Sequence, residues 1–126
     1  MRLKNNKVIV VIGGSGQMGQ MTVKTLLSNG FTVINLDIEN FKAKNKKYFF
    51  FQTDISNENQ VSKISLIIKK KFKKIYGLIN QAHYKGKRIL DKKSGFFKST
   101  EAYPFSEWKN TISVNLNGLF LTTKYF

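Results

Sequence analysis

Residues Lys7 to Gly19 read Lys-Val-Ile-Val-Val-Ile-Gly-Gly-Ser-Gly-Gln-Met-Gly. A β-branched run, Val8 to Ile12, stops at a set of glycines in which Gly13, Gly16 and Gly19 are spaced three apart, and a helical pattern follows at once. A continuous apolar run of this length suits a strand buried on both faces of a parallel sheet. Strand, glycine turn and helix start together form a phosphate cradle. The first N–H groups of the helix are unpaired, its end carries partial positive charge, and glycine lets the backbone approach a pyrophosphate closely. Asp37 lies 18 residues beyond Gly19, where a second strand should end. An acid there accepts hydrogen bonds from the ribose hydroxyls of an adenosine.

Outward from this stretch the pattern alternates. Gln17 to Ser28 reads as a helix, with Met18, Met21, Thr22, Thr25 and Leu26 on one side and Asn29-Gly30 as its end. Phe31 to Leu36 reads as the second strand, and Tyr48 to Phe51 as the third, followed by Thr53-Asp54. Ser56 is expected to cap the next helix, with Glu58 in its first turn. In that helix Val61, Ile64, Ile67, Ile68, Phe72 and Ile75 recur at helical spacing, opposite Lys63, Lys69, Lys70 and Lys73. Ile75 to Asn80 reads as the fourth strand. Gln81 to Phe105, with Gly86, Gly95 and Pro104, is long for a connection and reads as a functional loop. Ser106 is expected to cap a last helix, with Trp108, Ile112, Leu116, Leu119, Phe120 and Thr123 on one face. The order implies an α/β, Rossmann-like doubly wound parallel sheet. The expected strand order is 3-2-1-4, later strands are absent, and the ligand sits at the carboxyl ends of the strands.

Composition sets further bounds. The 126 residues suffice for one domain with a real core and are too few for two. The absence of cysteine excludes disulfides and thiolate sites, and a single histidine, His83, argues against a protein-built metal centre. No apolar run reaches the ~18 residues of a membrane span, and a polar N-terminus leading into a strand is unlike a signal peptide. A cytoplasmic location is the default expectation. The net charge is +15, and lysines cluster at Lys42 to Lys47 and Lys69 to Lys74. The only arginines are Arg2 and Arg88, whereas arginine makes most bidentate contacts to bases and phosphates. The chain is also rich in Asn, Ile and Phe, as expected of AT-rich codons. The lysines therefore read as solvated faces and nucleic acid is disfavoured, with polyanion binding kept as an alternative.

Four segments, in order, resemble the N-terminal half of the short-chain dehydrogenase/reductase family over essentially the whole chain. Ile12-Gly13-Gly14-Ser15-Gly16-Gln17-Met18-Gly19 is similar to the family's glycine motif, with two residues between the first two glycines where the family has three. Asp54-Ile55 stands where the family has an Asp-hydrophobic pair near adenine. Leu78-Ile79-Asn80-Gln81-Ala82 resembles the Asn-Asn-Ala-Gly motif, with Gln81 and His83 at its second Asn and its Gly. Trp108 and Val114-Asn115-Leu116-Asn117-Gly118-Leu119-Phe120 resemble the Val-Asn-Leu-x-Gly-x-Phe helix.

The resemblance implies an NAD(P)-dependent oxidoreductase that interconverts a hydroxyl and a carbonyl by hydride transfer. It assigns Gly13, Gly16 and Gly19 to the pyrophosphate, Ser15, Gln17 and Met18 to the cofactor as members of the same motif, and Asp37 to the ribose diol, which favours NAD over NADP. Asp54 and Ile55 fall to the adenine, with Asp54 read equally as a helix cap. Asn80, Gln81 and Ala82 lie beside the cofactor. Asn115 is the catalytic-group asparagine that positions a water in a proton relay. A side chain at His83 would project near the nicotinamide end. The family's Tyr-x-x-x-Lys is absent from these residues, so residues 1–126 are expected to be a single cofactor-binding domain truncated before it. A small alcohol or carbonyl substrate and a homo-oligomeric parent, joined through the Trp108 helix, follow from the same likeness. A nucleotide-binding module without catalysis is the alternative.

Overall fold

The computed structural model describes residues 6–86 and 97–126. Arg2, Arg88 and Gly95, singled out above, lie outside them, as does the middle of the Gln81 to Phe105 loop. The elements run β1 (Val8–Ile12), α1 (Gln17–Ser28), β2 (Thr32–Asp37), β3 (Tyr48–Gln52), α2 (Glu58–Phe72), β4 (Gly77–Asn80), α3 (Phe105–Ile112) and α4 (Leu119–Tyr125). A single-turn 3₁₀ segment, Thr100–Ala102, precedes α3, and a π-helical stretch, Ser113–Gly118, joins α3 to α4.

The sheet is parallel in the order β3-β2-β1-β4, as the alternation of elements predicts. β1 lies at its centre, pairing Val10 with Ile34 on one side and with Leu78 on the other. All five of its residues are buried, which explains the unbroken apolar run. Their side chains alternate between two cores. Val8, Val10 and Ile12 meet Val61 and Ile68 of α2 and Leu121 of α4, while Ile9 and Val11 meet Val23 of α1. Helices on both faces are what a doubly wound sheet requires, and each fully buried side chain contributes about 1.5–3 kcal/mol.

Several local expectations are corrected. The inward face of α1 is Gly19 and Val23, with Leu26 and Leu27 packed alongside, while Met18 and Met21 are exposed. Glycine at position 19 lets α1 press its small side against the glycine turn, which rotates the methionines outward. On α2, Ser65 is buried and Ile67 is exposed, because Val61, Ser65 and Ile68 share the inward stripe. The α2 cap is Asn57, whose side chain accepts from Gln60 N at 3.1 Å. Ser56 is instead drawn to Asp54 Oδ1 through its N–H and hydroxyl, at 2.9 and 2.6 Å. Pro104, not Ser106, occupies the cap position of α3, and no side chain caps that helix. β4 begins at Gly77 rather than Ile75, after a backbone reversal in which Lys73 adopts φ 55°.

The rod formed by α3, the π-helical stretch and α4 packs through Val114, Leu121 and Tyr125. Its other side leaves Trp108 54% and Phe120 63% exposed, together with Leu116 and Leu119. Among the described residues, no helix is long and apolar enough to cross a membrane.

Candidate functional site

A cleft of about 630 Å3 opens at the carboxyl ends of the strands, where the winding of the fold reverses direction about β1. One wall is the glycine turn, with Gly13, Ser15 and Gly16. Beside it stand Asp37, the last residue of β2, with Ile38 and Glu39, then Asp54 and Ile55 after β3. Gln81, Ala82, His83 and Tyr84 follow β4, and Asn110, Ser113 and Val114 close the cleft from above.

The turn depends on glycine at two points. Gly13 has φ +75°, and a Cβ there would sit 2.5 Å from Ala82 N. A Cβ on Gly19 would run into the Gly13 carbonyl oxygen. α1 can therefore start directly behind the turn. No side chain caps its N-terminus and its first turn has no acid, so its partial positive end is left to whatever enters the cleft.

Asp37 ends β2 and turns back onto the glycine turn. Its Oδ2 accepts from Ser15 N at 2.9 Å, and its Oδ1 accepts from Glu39 N at 3.3 Å. The cradle and the acid predicted for the ribose are thus joined by one hydrogen bond. Asp54 lines the cleft, and its Oδ1 holds Ser56 in the approach to α2; it does not cap that helix, whose cap is Asn57.

Asn80 ties elements together from the floor. Its Oδ1 accepts from Ala82 N at 3.1 Å, and its Nδ2 lies 3.4 Å from Thr122 Oγ1 of α4. Gln81 places its side-chain oxygen in a buried position without a hydrogen-bond partner among the described residues. His83 is exposed at the cleft wall. Asn115, within the π-helical stretch, clamps the chain after β4. It accepts from Tyr84 N at 2.7 Å and donates to Tyr84 O at 3.0 Å. Tyr84 in turn donates its hydroxyl to Glu107 at 3.0 Å. Partial burial, reinforced by that carboxylate, holds the Tyr84 phenol above its ordinary pKa.

Of the residues marked by sequence, Gly13, Ser15, Gly16, Asp37, Asp54, Ile55, Gln81 and Ala82 line one cleft. Gly19, Asn80 and Asn115 stand behind it as supports, and Gln17 and Met18 are exposed at the start of α1. Sequence reading missed Asn35. It is fully buried, and its Oδ1 accepts from Gly14 N at 3.0 Å. A lone amide in the apolar run Val33-Ile34-Asn35-Leu36 was the available signal, since a buried amide needs partners. It also missed Tyr48, whose hydroxyl lies 3.0 Å from Asn35 Nδ2 and whose pKa is raised mainly by burial.

A family model described as short chain dehydrogenase matches residues 7–126. Sorbitol-6-phosphate 2-dehydrogenase of Klebsiella pneumoniae is 31% identical, over 98% of this chain and 46% of that protein. NAD-dependent glycerol dehydrogenase of Listeria innocua is 29% identical, over 92% and 44%. Among solved structures, a short chain dehydrogenase from Leptospira borgpetersenii with bound NAD+ superposes with a TM-score of 0.83 at 32% identity, covering 99% of this chain and 48% of that one. Ligand-free aldohexose dehydrogenase from Thermoplasma acidophilum gives 0.79 at 27%, covering 96% and 43%. The chain spans about half the length of the curated relatives it matches.

Proposed function

Because the chain belongs to the short-chain dehydrogenase family, we propose that residues 1–126 are the cofactor-binding part of an NAD-dependent oxidoreductase acting on a small alcohol or carbonyl compound. The observation that carries this reading is the Ser15 N to Asp37 Oδ2 hydrogen bond at the mouth of the cleft. It ties the glycine turn in front of the uncapped α1 to a carboxylate at the end of β2, the place where this kind of fold holds a ribose diol.

The residues present fit such a cofactor. The uncapped start of α1 and the turn from Gly13 to Gly16 would hold the pyrophosphate. Asp37 would accept from the ribose hydroxyls, with Asp54 and Ile55 beside the adenine. Gln81 has a buried acceptor oxygen still unused within the described residues. The carboxylates of Asp37 and Glu39 at the same end of the cleft oppose a 2′-phosphate by like charge, which supports NAD over NADP.

When bound, the nicotinamide supplies or accepts the hydride. This chain's own residues bind and orient it. Asn115 fixes the Tyr84 backbone at the opposite wall, and its place in a π-helical stretch fits a functional position. Reduction of a carbonyl also requires a proton donor at the oxygen. The 126 residues contain no Tyr-x-x-x-Lys, so in this reading they hold the cofactor without turning over substrate. The exposed line of Trp108, Leu116, Leu119 and Phe120 supports a homo-oligomeric assembly through the α3–α4 rod. Light scattering on purified protein tests that assembly, and a strictly monomeric chain at high concentration overturns it.

Calorimetric titration tests the cofactor. NAD is expected to bind in the micromolar range and more tightly than NADP. Asp37→Ala should weaken NAD by at least ~10-fold, the loss of about 1.4 kcal/mol that charge-assisted hydrogen bonds supply. Tighter binding of NADP, or an Asp37→Ala variant that binds NAD as well as its parent, overturns the assignment.

A further inference from the structure

We propose that Asn35 is the positioning residue of the nucleotide cleft, acting with Tyr48 to lock the glycine turn to the segment that follows β2. The inference rests on the dinucleotide reading above and adds a device that reading does not contain.

Asn35 lies in the middle of β2, between strands β1 and β3, and no part of it is exposed. An amide buried without partners costs about 1–3 kcal/mol in a protein interior, so its presence in an otherwise apolar strand calls for compensation. The compensation comes from loops rather than from the sheet. Asn35 Oδ1 accepts from Gly14 N at 3.0 Å. Its Nδ2 donates to Ser15 Oγ at 2.9 Å and to the Tyr48 hydroxyl at 3.0 Å. Both amide protons are used. The Tyr48 hydroxyl passes the chain on, donating to Asn40 Oδ1 at 3.0 Å. The Tyr48 ring also packs against Phe41, with centroids 5.3 Å apart.

One polar chain therefore runs Ser15–Asn35–Tyr48–Asn40 beneath the cleft. It fastens the turn that would carry the pyrophosphate to the segment after Asp37 that borders the adenosine end. The fit is tight, since a Cβ on Gly14 would meet the Asn35 amide. By taking the Gly14 N–H inward, Asn35 sets the peptide that follows, so that Ser15 N–H meets Asp37 Oδ2 at 2.9 Å. A leucine of similar shape would fill the space without choosing an orientation for the turn. Preorganising the turn lowers the ordering cost of binding an anion there.

ADP and adenosine are the probes, because only ADP carries the pyrophosphate. Calorimetry with the full chain compares the parent, Asn35→Leu and Tyr48→Phe. Asn35→Leu should weaken ADP by ~10-fold or more, the scale of one or two lost hydrogen bonds, while adenosine changes by less than about two-fold. Tyr48→Phe removes only a hydroxyl and should weaken ADP by ~3-fold with the same selectivity. A purely structural role lowers both affinities together and leaves their ratio unmoved. An unchanged ratio in folded Asn35→Leu overturns the proposal, and if that variant does not fold, an unchanged ratio in Tyr48→Phe does so. A parent chain that binds neither probe overturns the dinucleotide reading and this inference together. A parent that binds ADP while the variants match it overturns this inference alone.

Discussion

Helices α1 and α2 both begin at the carboxyl edge of the sheet, and they begin in opposite ways. α2 is closed by its own chain. Asn57 accepts from Gln60 N, Glu58 sits in the first turn, and Asp54 draws Ser56 into the approach. α1 starts at Gly16 with no capping side chain and no acid in its first turn. Both ends carry the same partial positive charge, so the difference lies in what satisfies it. Protein groups answer α2. The first N–H groups of α1 are left without a capping side chain, which is where the proposed function places the anion.

The most severe way to break this contrast is to fill the space that lets α1 approach its turn. Gly19→Ala would drive a Cβ into the Gly13 carbonyl. It should destabilise the fold by about 1–3 kcal/mol, as overpacking does, and abolish nucleotide binding. Urea denaturation and NAD titration read the two effects, and an unchanged urea midpoint refutes the steric account.

Removing the cap of the other helix should separate stability from binding. Asn57→Ala is expected to cost about 1 kcal/mol, with NAD affinity unchanged in protein that remains folded. A matching fall in NAD affinity would mean that α2, too, takes part in the cleft. Gln17→Glu then sharpens the contrast by making α1 resemble α2. A carboxylate in the first turn should stabilise the helix by about 0.3–1 kcal/mol while weakening NAD several-fold through repulsion of the pyrophosphate. If binding is unaffected, the α1 terminus is not where the anion sits.

The smallest effect concerns pH. Lys124 Nζ and the Tyr125 hydroxyl both reach Glu58 Oε1, at 3.0 and 2.8 Å. These contacts, the Lys124 hydrogen bond first, hold the Glu58 carboxyl below its ordinary pKa. A lowered folded-state value means that stability is present above the usual glutamate pKa and is lost as pH falls through the depressed one. The Lys124–Glu58 ion pair is exposed, so the slope of stability against pH should be slight. It should lessen in Glu58→Gln, leaving what Glu101, also held below its ordinary pKa by local hydrogen bonds, contributes; a slope unchanged in that variant refutes the Glu58 assignment.

Much of this was legible in the chain. The Val8 to Ile12 run, the glycine spacing and the positions of Asp37 and Asp54 by themselves imply the sheet order and much of the cleft wall. These features depend on local backbone rules, in which β-branched runs make buried strands and glycines mark a tight turn. The α1 and α2 inward faces were misread at Met18, Met21 and Ile67. Periodicity finds a stripe, but the helix rotation that buries it is set by its neighbour, here the contact of Gly19 with Gly13. The caps at Asn57 and Pro104 were missed by one or two residues. Ser56, a good cap by type, was instead engaged by a carboxylate, Asp54.

Sequence by itself determined the order of elements, the parallel winding, the glycine turn and the carboxylate at the end of β2, because each follows from residue type and spacing along the chain. Only the tertiary structure decided that Asn35 is the amide beneath the turn, that Tyr48 extends its reach to Asn40, and that Asn115 grips Tyr84 from 31 residues away. Those pairings join residues from different elements. They exist because burial between packed layers forces each polar group to find whichever partner the fold brings within hydrogen-bond distance.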